Sequence, residues 1–300
     1  MMTMTPKPFA LLRKPFAPLL LLLLFAPPAP AQDDPERWRV LTLPAPEFKR
    51  APPGPTPAAR RGPRLVAVSE RRNQVTDVVP WFERNGLELP VYELPGEEGG
   101  EGGRALPGFV PLRFRGVGIV RAMRGPSGGV LAVYGLDGGE GRYLVALDPA
   151  GRFRYGFDFE AYAYAPAASQ VERRFTYQQI TWAAEDAGTL YVSHGHNTYA
   201  RSSKGMNAYL TALDTRTGRV LWRSPPLVSN ASNFELAGGL LVAGYGFTSE
   251  PDFLYLLDKR TGEVRQRLSI RSGPTYILRK GDRLYVRAYD ADLVLKLSGL

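Results

Sequence analysis

The sequence predicts an all-β protein: a repeated, four-stranded antiparallel unit that closes radially into a β-propeller. Three observations predict it. One short line of sequence recurs, the corners of its copies lie about one blade apart, and turn formers crowd the chain, with 32 glycines and 27 prolines in 300 residues. Long helices are hard to place between such punctuators.

Residues 209–222, YLTALDTRTGRVLW, serve as the template. Residues 209–213 alternate as a strand, 214–218 form a turn, and residues 220–222 begin the next strand. Asp214 suits the opening of the turn because its carboxylate can accept a backbone N–H two residues on. Gly218 suits the close because that position calls for a positive φ. The line returns at 254–268, LYLLDKRTGEVRQRL, with Asp258, Thr261 and Gly262 at the corner. It returns again at 143–157, YLVALDPAGRFRYGF, with Asp148 and Gly151. A weaker copy at 78–92, VVPWFERNGLELPVY, turns at Glu83 and Gly86.

Each copy follows another strand candidate, at 129–134, 188–193, 239–243 or 282–287. One more lies further upstream, as at 175–182 and 275–278. The unit is therefore a meander of about four short strands, with turn signals every 8–12 residues or so. The corner glycines at 86, 151, 218 and 262 are 65, 67 and 44 residues apart. The shortest spacing matches one uninterrupted propeller blade of about 40–45 residues, and the longer ones are that blade plus loops. A lone four-stranded meander cannot bury both faces, and radial repetition leaves only short, protected edges. Counting the weak copy gives about five blades. The last unit stops at 293–297 without an outer strand, and the strand candidate at 38–43 is available to fill that seam and protect its edge.

The flanks read differently. Lys7, Arg13 and Lys14 precede a short apolar run at 19–25, and Ala29-Pro-Ala31 offers the small-x-small pattern of a cleavage site. Residues 1–31 are therefore expected to be a signal peptide, and the protein periplasmic or secreted with no membrane span after cleavage. Residues 32–63 form a Pro/Ala/Arg-rich arm, and residues 64–300 the propeller. GEEGGEGG at 96–103 reads as a loop. With 44% hydrophobic and 22% charged residues the chain is globular rather than disordered. Zero cysteines exclude disulfides, thiolate metal sites and a cysteine nucleophile. Three of the nine excess positive charges belong to the leader. The rest are spread along the chain, so they suit an anionic surface or glycan and indicate no specific nucleic acid.

Ala212-x-Asp214-x-x-Thr217-Gly218-x-x-x-Trp222 resembles the quinoprotein-like (PQQ-like) β-propeller repeat. The resemblance implies a tryptophan packed between adjacent blades and an Asp-to-Gly turn joining the two outer strands of each. Gln266 and Tyr155 stand where the other copies would carry that tryptophan. Enzymes of the family oxidise alcohols or sugars with a quinone cofactor. They typically have eight blades and a longer chain, and many carry a vicinal cysteine pair that this chain lacks. The resemblance therefore implies the short, non-catalytic exported members, which act as scaffolds for assembly of envelope proteins. No cofactor and an envelope protein partner are expected. The alternatives are a small propeller enzyme, either a quinone-dependent dehydrogenase or a metal-assisted hydrolase or lyase, and a glycan or small-ligand sensor.

Few residues carry candidate chemistry. His194 and His196 are the only histidines, and at i and i+2 on a strand both rings can meet one metal, although further ligands must come from elsewhere. The plainer reading is two polar residues opening a long loop. That loop mixes Asn197, Tyr199, Arg201, Lys204 and Asn207, a set suited to a glycan, a peptide or an anionic group. Gly125-Pro-Ser127-Gly-Gly129 matches the G-x-S-x-G pattern, but strand signals flank it on both sides, so a hairpin turn accounts for it.

Overall fold

A computed structural model describes residues 34–47, 62–96, 104–136, 141–163, 176–177, 179–199 and 203–299. The leader, most of the proline-rich arm, seven residues of the glycine-rich stretch and Arg201 lie outside the described residues.

In chain order, strands β1 (Leu41–Thr42) and β2 (Arg64–Arg72) come first, and both join sheets formed later in the chain. Helix α1 (Val78–Asn85) follows, then the short strands β3 (Tyr92–Glu93), β4 (Arg104–Ala105) and β5 (Arg113–Phe114). The first meander is β6 (Val117–Arg124), β7 (Val130–Gly135), β8 (Gly141–Leu147) and β9 (Phe153–Asp158). Helix α2 (Glu160–Ala163) leads to the second: β10 (Gln179–Asp186), β11 (Thr189–Gly195), β12 (Tyr209–Asp214) and β13 (Val220–Arg223). The third is β14 (Glu235–Ala237), β15 (Leu240–Phe247), β16 (Glu250–Asp258) and β17 (Val264–Ser269). The last is β18 (Pro274–Lys280), β19 (Arg283–Ala288) and β20 (Ala291–Ser298), with β2 as its outer strand.

These are the blades of an all-β propeller, and the described residues form four of them where the spacing predicts about five. The weak copy at 78–92 accounts for the difference. Val78, Trp81 and Phe82 fall at helical spacing, Pro80 is tolerated in a first turn, and Gly86 ends α1 in the left-handed conformation (φ 57°). Leu87 N–H donates to Phe82 O at 2.9 Å and completes that helix stop. A glycine corner thus marks a helix end here, not a hairpin.

The seam is closed by an N-terminal strand, but not by residues 38–43. Strand β2 pairs antiparallel with β20 from Arg64↔Ser298 to Arg72↔Ala291. The earlier candidate shrinks to β1, which lies parallel to β9 and covers the outer edge of the first blade. Trp38 and Leu43 are buried beside it. Between the fourth and first blades sits α1. Trp81 and Phe82 pack on Tyr276 of β18, and Val91 bridges to Met123 of β6. Burying a phenylalanine-sized side chain this way is worth about 1.5–3 kcal/mol.

The three Asp-to-Gly corners are built alike. Asp148 Oδ1 accepts the N–H groups of Ala150 and Arg152, Asp214 Oδ1 those of Arg216 and Thr217, and Asp258 Oδ1 those of Arg260 and Thr261, all at 2.8–3.0 Å. Gly151, Gly218 and Gly262 all have positive φ, between 71° and 80°. Each corner is then covered by a side chain from outside its own blade or from earlier in the chain. Phe109 lies over Gly151, Leu41 and Phe157 over Gly218, and Trp222 over Gly262. A β-carbon on Gly262 would come within 2.6 Å of Trp222 Cδ2, so these glycines serve both the turn and the junction.

The position of Trp222 is a blade-to-blade contact in all three hairpin copies. Trp222 Nε1–H donates to Lys259 O (3.0 Å). Tyr155 donates its hydroxyl to Glu185 (2.7 Å), and Gln266 holds both backbone groups of Leu65. Three different side chains reach the next blade from one place.

Candidate functional site

In the first three meanders the Asp-to-Gly corners lie at one end. The turn between second and third strands lies at the other, together with the connection to the next blade. That second end carries His196 and Asn197 after β11, Asn230 between β13 and β14, the β15–β16 hairpin, the 270–273 connection and the β19–β20 hairpin. They enclose a cavity of about 550 Å³, a size usual for small-ligand sites, roughly 300–1,000 Å³.

Its walls are held by the protein's own bonds. Asn230 clasps Gly246, donating from Nδ2 to Gly246 O (2.8 Å) and accepting from Gly246 N–H (3.0 Å). Arg271 Nε–H donates to Asp290 Oδ2 (3.2 Å), and Asp290 N–H donates to Ser272 Oγ (3.1 Å). The carboxylate of Asp252 rests across Gly246 and Gly273, two glycines close enough that a β-carbon on Gly273 would meet Gly246 O at 3.3 Å. Asp252 Oδ1 is buried and has no hydrogen-bond partner among the described residues. Burial, and next the charge of Asp290, push its pKa up, and a bond from Phe247 N–H opposes them. Asp290 is held below the ordinary range by Ser272 and by the nearby Arg271. The rim is aromatic: Tyr289 is 66% exposed, and Tyr199 stands edge-on to Phe247 with ring centroids 4.7 Å apart.

The structure sorts the sequence candidates. Asn197 lines the cavity and Tyr199 reaches its rim. Asn207 is buried and acts as a loop clasp. Its Oδ1 accepts from His196 N–H (2.8 Å) and Ala208 N–H (2.7 Å), and its Nδ2 donates to His196 O (3.1 Å). Lys204 is exposed at a positive-φ turn position.

The two histidines have different partners. His196 contacts the cavity with one edge, but its Nε2 is 2.8 Å from Ser203 Oγ and its Nδ1 accepts from Thr198 N–H (3.3 Å). Burial lowers its pKa to about 4. His194 is enclosed between Tyr162 and Tyr209, with Nε2 2.8 Å from Thr211 Oγ1, and burial, then Arg223, hold it neutral. Among the described residues no group of three or more His, Asp or Glu side chains is placed to hold a metal ion. Ser127 sits at φ 55° in the tight turn between β6 and β7, as a hairpin requires.

Asn230, Asp252, Arg271 and Tyr289 carry no local signature. Asp252 lies on β16 and the other three each in a different connection, and only blade packing assembles them. The glycine pair Gly244-Tyr-Gly246 is a partial signal, because Gly246 is where Asp252 and Gly273 approach the backbone.

No protein-family model matches the chain, and no curated protein matches it. Among solved structures, one described as BamB from Moraxella catarrhalis aligns at 12% identity and a TM-score of 0.30, over 59% of this chain and 69% of that one. The computationally designed Ika4 protein aligns at 12% identity and a TM-score of 0.39, over 63% of this chain and 98% of that one. Likenesses this distant carry no functional argument, and the β-propeller assignment rests on the four sheets themselves.

Proposed function

We propose that the protein is an exported, non-enzymatic β-propeller that serves as a binding or scaffold module in the bacterial envelope, recognising its partner through the cavity-bearing end. The observation that carries this reading is the use made of the polar groups there. Asn230 and His196, which line the cavity, and Asn207 beside them are tied to neighbouring protein atoms, which produces a preorganised recognition surface. Export is supported by the cationic start, apolar run and small-residue site of residues 1–31. The quinoprotein-like kind of repeat is supported by the Trp222 indole over the next blade's Gly262.

The test is a photo-crosslinking amino acid at Tyr289 or Thr248, on the cavity end, compared with Thr215 at the opposite end. A discrete envelope species captured from the first two positions and not from the third is the expected result. Equal capture from both ends, or turnover of a substrate by the pure protein, would refute the reading.

A glycan or other polyhydroxy ligand is the second reading. The half-buried Asp252 carboxylate beside an aromatic rim favours it, since carboxylates accept from hydroxyls and exposed rings cover apolar sugar faces.

A further inference from the structure

A second cavity, of about 310 Å³, lies between β2, α1 and the outer part of the fourth blade. Arg71 of β2 and Arg84 of α1 line it, with Ser69, Asn85, Tyr285, Trp81 and Asp292. Both guanidiniums are held in place by carboxylates. Arg71 donates from Nε (3.2 Å) and Nη2 (3.0 Å) to Asp292 Oδ2, and Arg84 from Nη2 to Asp77 Oδ2 (3.1 Å).

The same two carboxylates also receive the buried Arg287, which donates to Asp292 Oδ1 (2.8 Å) and to Asp77 Oδ1. Asn73 Nδ2 adds a further bond to Asp292 Oδ1 (3.0 Å). The network therefore sets three guanidiniums against two carboxylates and retains one positive charge in excess. Both carboxylates already accept from two arginines. Arg71 Nη1 and Arg84 Nε and Nη1 have no acceptor among the described residues, and these side chains are 57% and 44% exposed. The C-terminal end of α1 carries a partial negative charge that would oppose an anion. Lys280 offsets it by donating from Nζ to Asn85 O (2.8 Å).

We propose that this cavity binds a small oxyanion of the phosphate class, held between Arg71 and Arg84. A planar carboxylate serves one guanidinium fork well. A tetrahedral oxyanion offers oxygens in several directions and so serves two forks that come from different elements. Because β2 and α1 are the elements that close the ring, the bound anion ties the seam and stabilises the fold by mass action.

The experiment is titration of the purified protein with inorganic phosphate, with sodium chloride at equal ionic strength as control, followed by calorimetry and thermal unfolding. One saturable site is expected, with the unfolding midpoint rising in step with its occupancy. Arg84→Gln should weaken affinity about tenfold or more, in line with loss of a charged hydrogen bond, and Arg84→Lys less so. Ser69→Glu, which adds a carboxylate on a solvent-exposed strand, should abolish binding while the circular dichroism and the cooperativity of unfolding stay unchanged. Co-sedimentation with phosphatidylglycerol vesicles but not phosphatidylcholine vesicles, lost in Arg84→Gln, would identify a lipid headgroup as the source. Saturable binding of free phosphate without vesicle binding would identify a soluble one. A midpoint shift that is equal in wild type, Arg84→Gln and Ser69→Glu, or that never saturates as a general salt effect does, would overturn the proposal.

Discussion

Gly262→Ala tests the junction between the second and third blades. Two costs add at this position. A left-handed conformation costs a non-glycine residue roughly 1–2 kcal/mol, and Gly262 has φ 72°. The new methyl would also stand within 2.6 Å of Trp222 Cδ2, an overpacking worth about 1–3 kcal/mol. The variant should therefore lose about 2–5 kcal/mol, a large part of a typical total of roughly 5–15 kcal/mol.

The cycle with Trp222→Ala separates the two costs. With the indole gone, only the backbone cost remains, so Gly262→Ala should cost about 1–2 kcal/mol in that background, leaving a coupling of about 1–3 kcal/mol. Urea unfolding followed by far-ultraviolet circular dichroism is the assay, because fluorescence would change with the tryptophan itself. Equal costs in both backgrounds, within about 0.5 kcal/mol, would refute the claim that Gly262 is the surface on which the Trp222 ring docks.

Burial raises the pKa of Glu235, on the inner strand of the third blade, from 4.5 to about 7, against a bond and charge from Arg279. Its ionised form is disfavoured in the fold, so this stability is present below pH 4.5 and lost as pH rises through 7, by about 3 kcal/mol in all. His196 titrates in the opposite sense over the same range, so the measurement is the difference between wild type and Glu235→Gln in denaturant unfolding at pH 5 and pH 8. A difference that does not change between the two would refute the assignment. Asn207→Ala leaves the N–H groups of His196 and Ala208 without their acceptor and should cost about 2–4 kcal/mol, with faster amide exchange at 196–199; unchanged exchange would show that the loop does not depend on the clasp. Arg287→Ala removes the buried partner of Asp292 and one of the two arginines on Asp77 and should cost about 3–5 kcal/mol, read as a fall in the unfolding midpoint; Arg287→Met in place of it should behave no better, since Asp292 stays buried and both carboxylates lose the same partner.

Local residues carried most of the blade pattern. Asp148, Asp214 and Asp258 with their glycines announce three hairpins, because the aspartate bonds and the positive φ are satisfied within five residues of chain. Gly86 misleads for the same reason. A left-handed glycine ends a helix as readily as it closes a hairpin, and only the packing of Trp81 and Phe82 on Tyr276 distinguishes the two. Pairing across the seam was legible in kind and not in register. Residues 38–43 are the strand expected there, and the choice of 64–72 in their place depends on which segment reaches β20, more than 200 residues further along.

By itself, then, the sequence determined the repeated unit and its corners, because those depend on bonds between near neighbours in the chain, while the blade-to-blade position of Trp222 was what the family resemblance implied. Tertiary structure alone decided the blade count, the closing strand, the burial of both histidines and the two cavities. Each of these requires side chains from separate loops or strands to meet, and their encounter depends on how whole sheets pack.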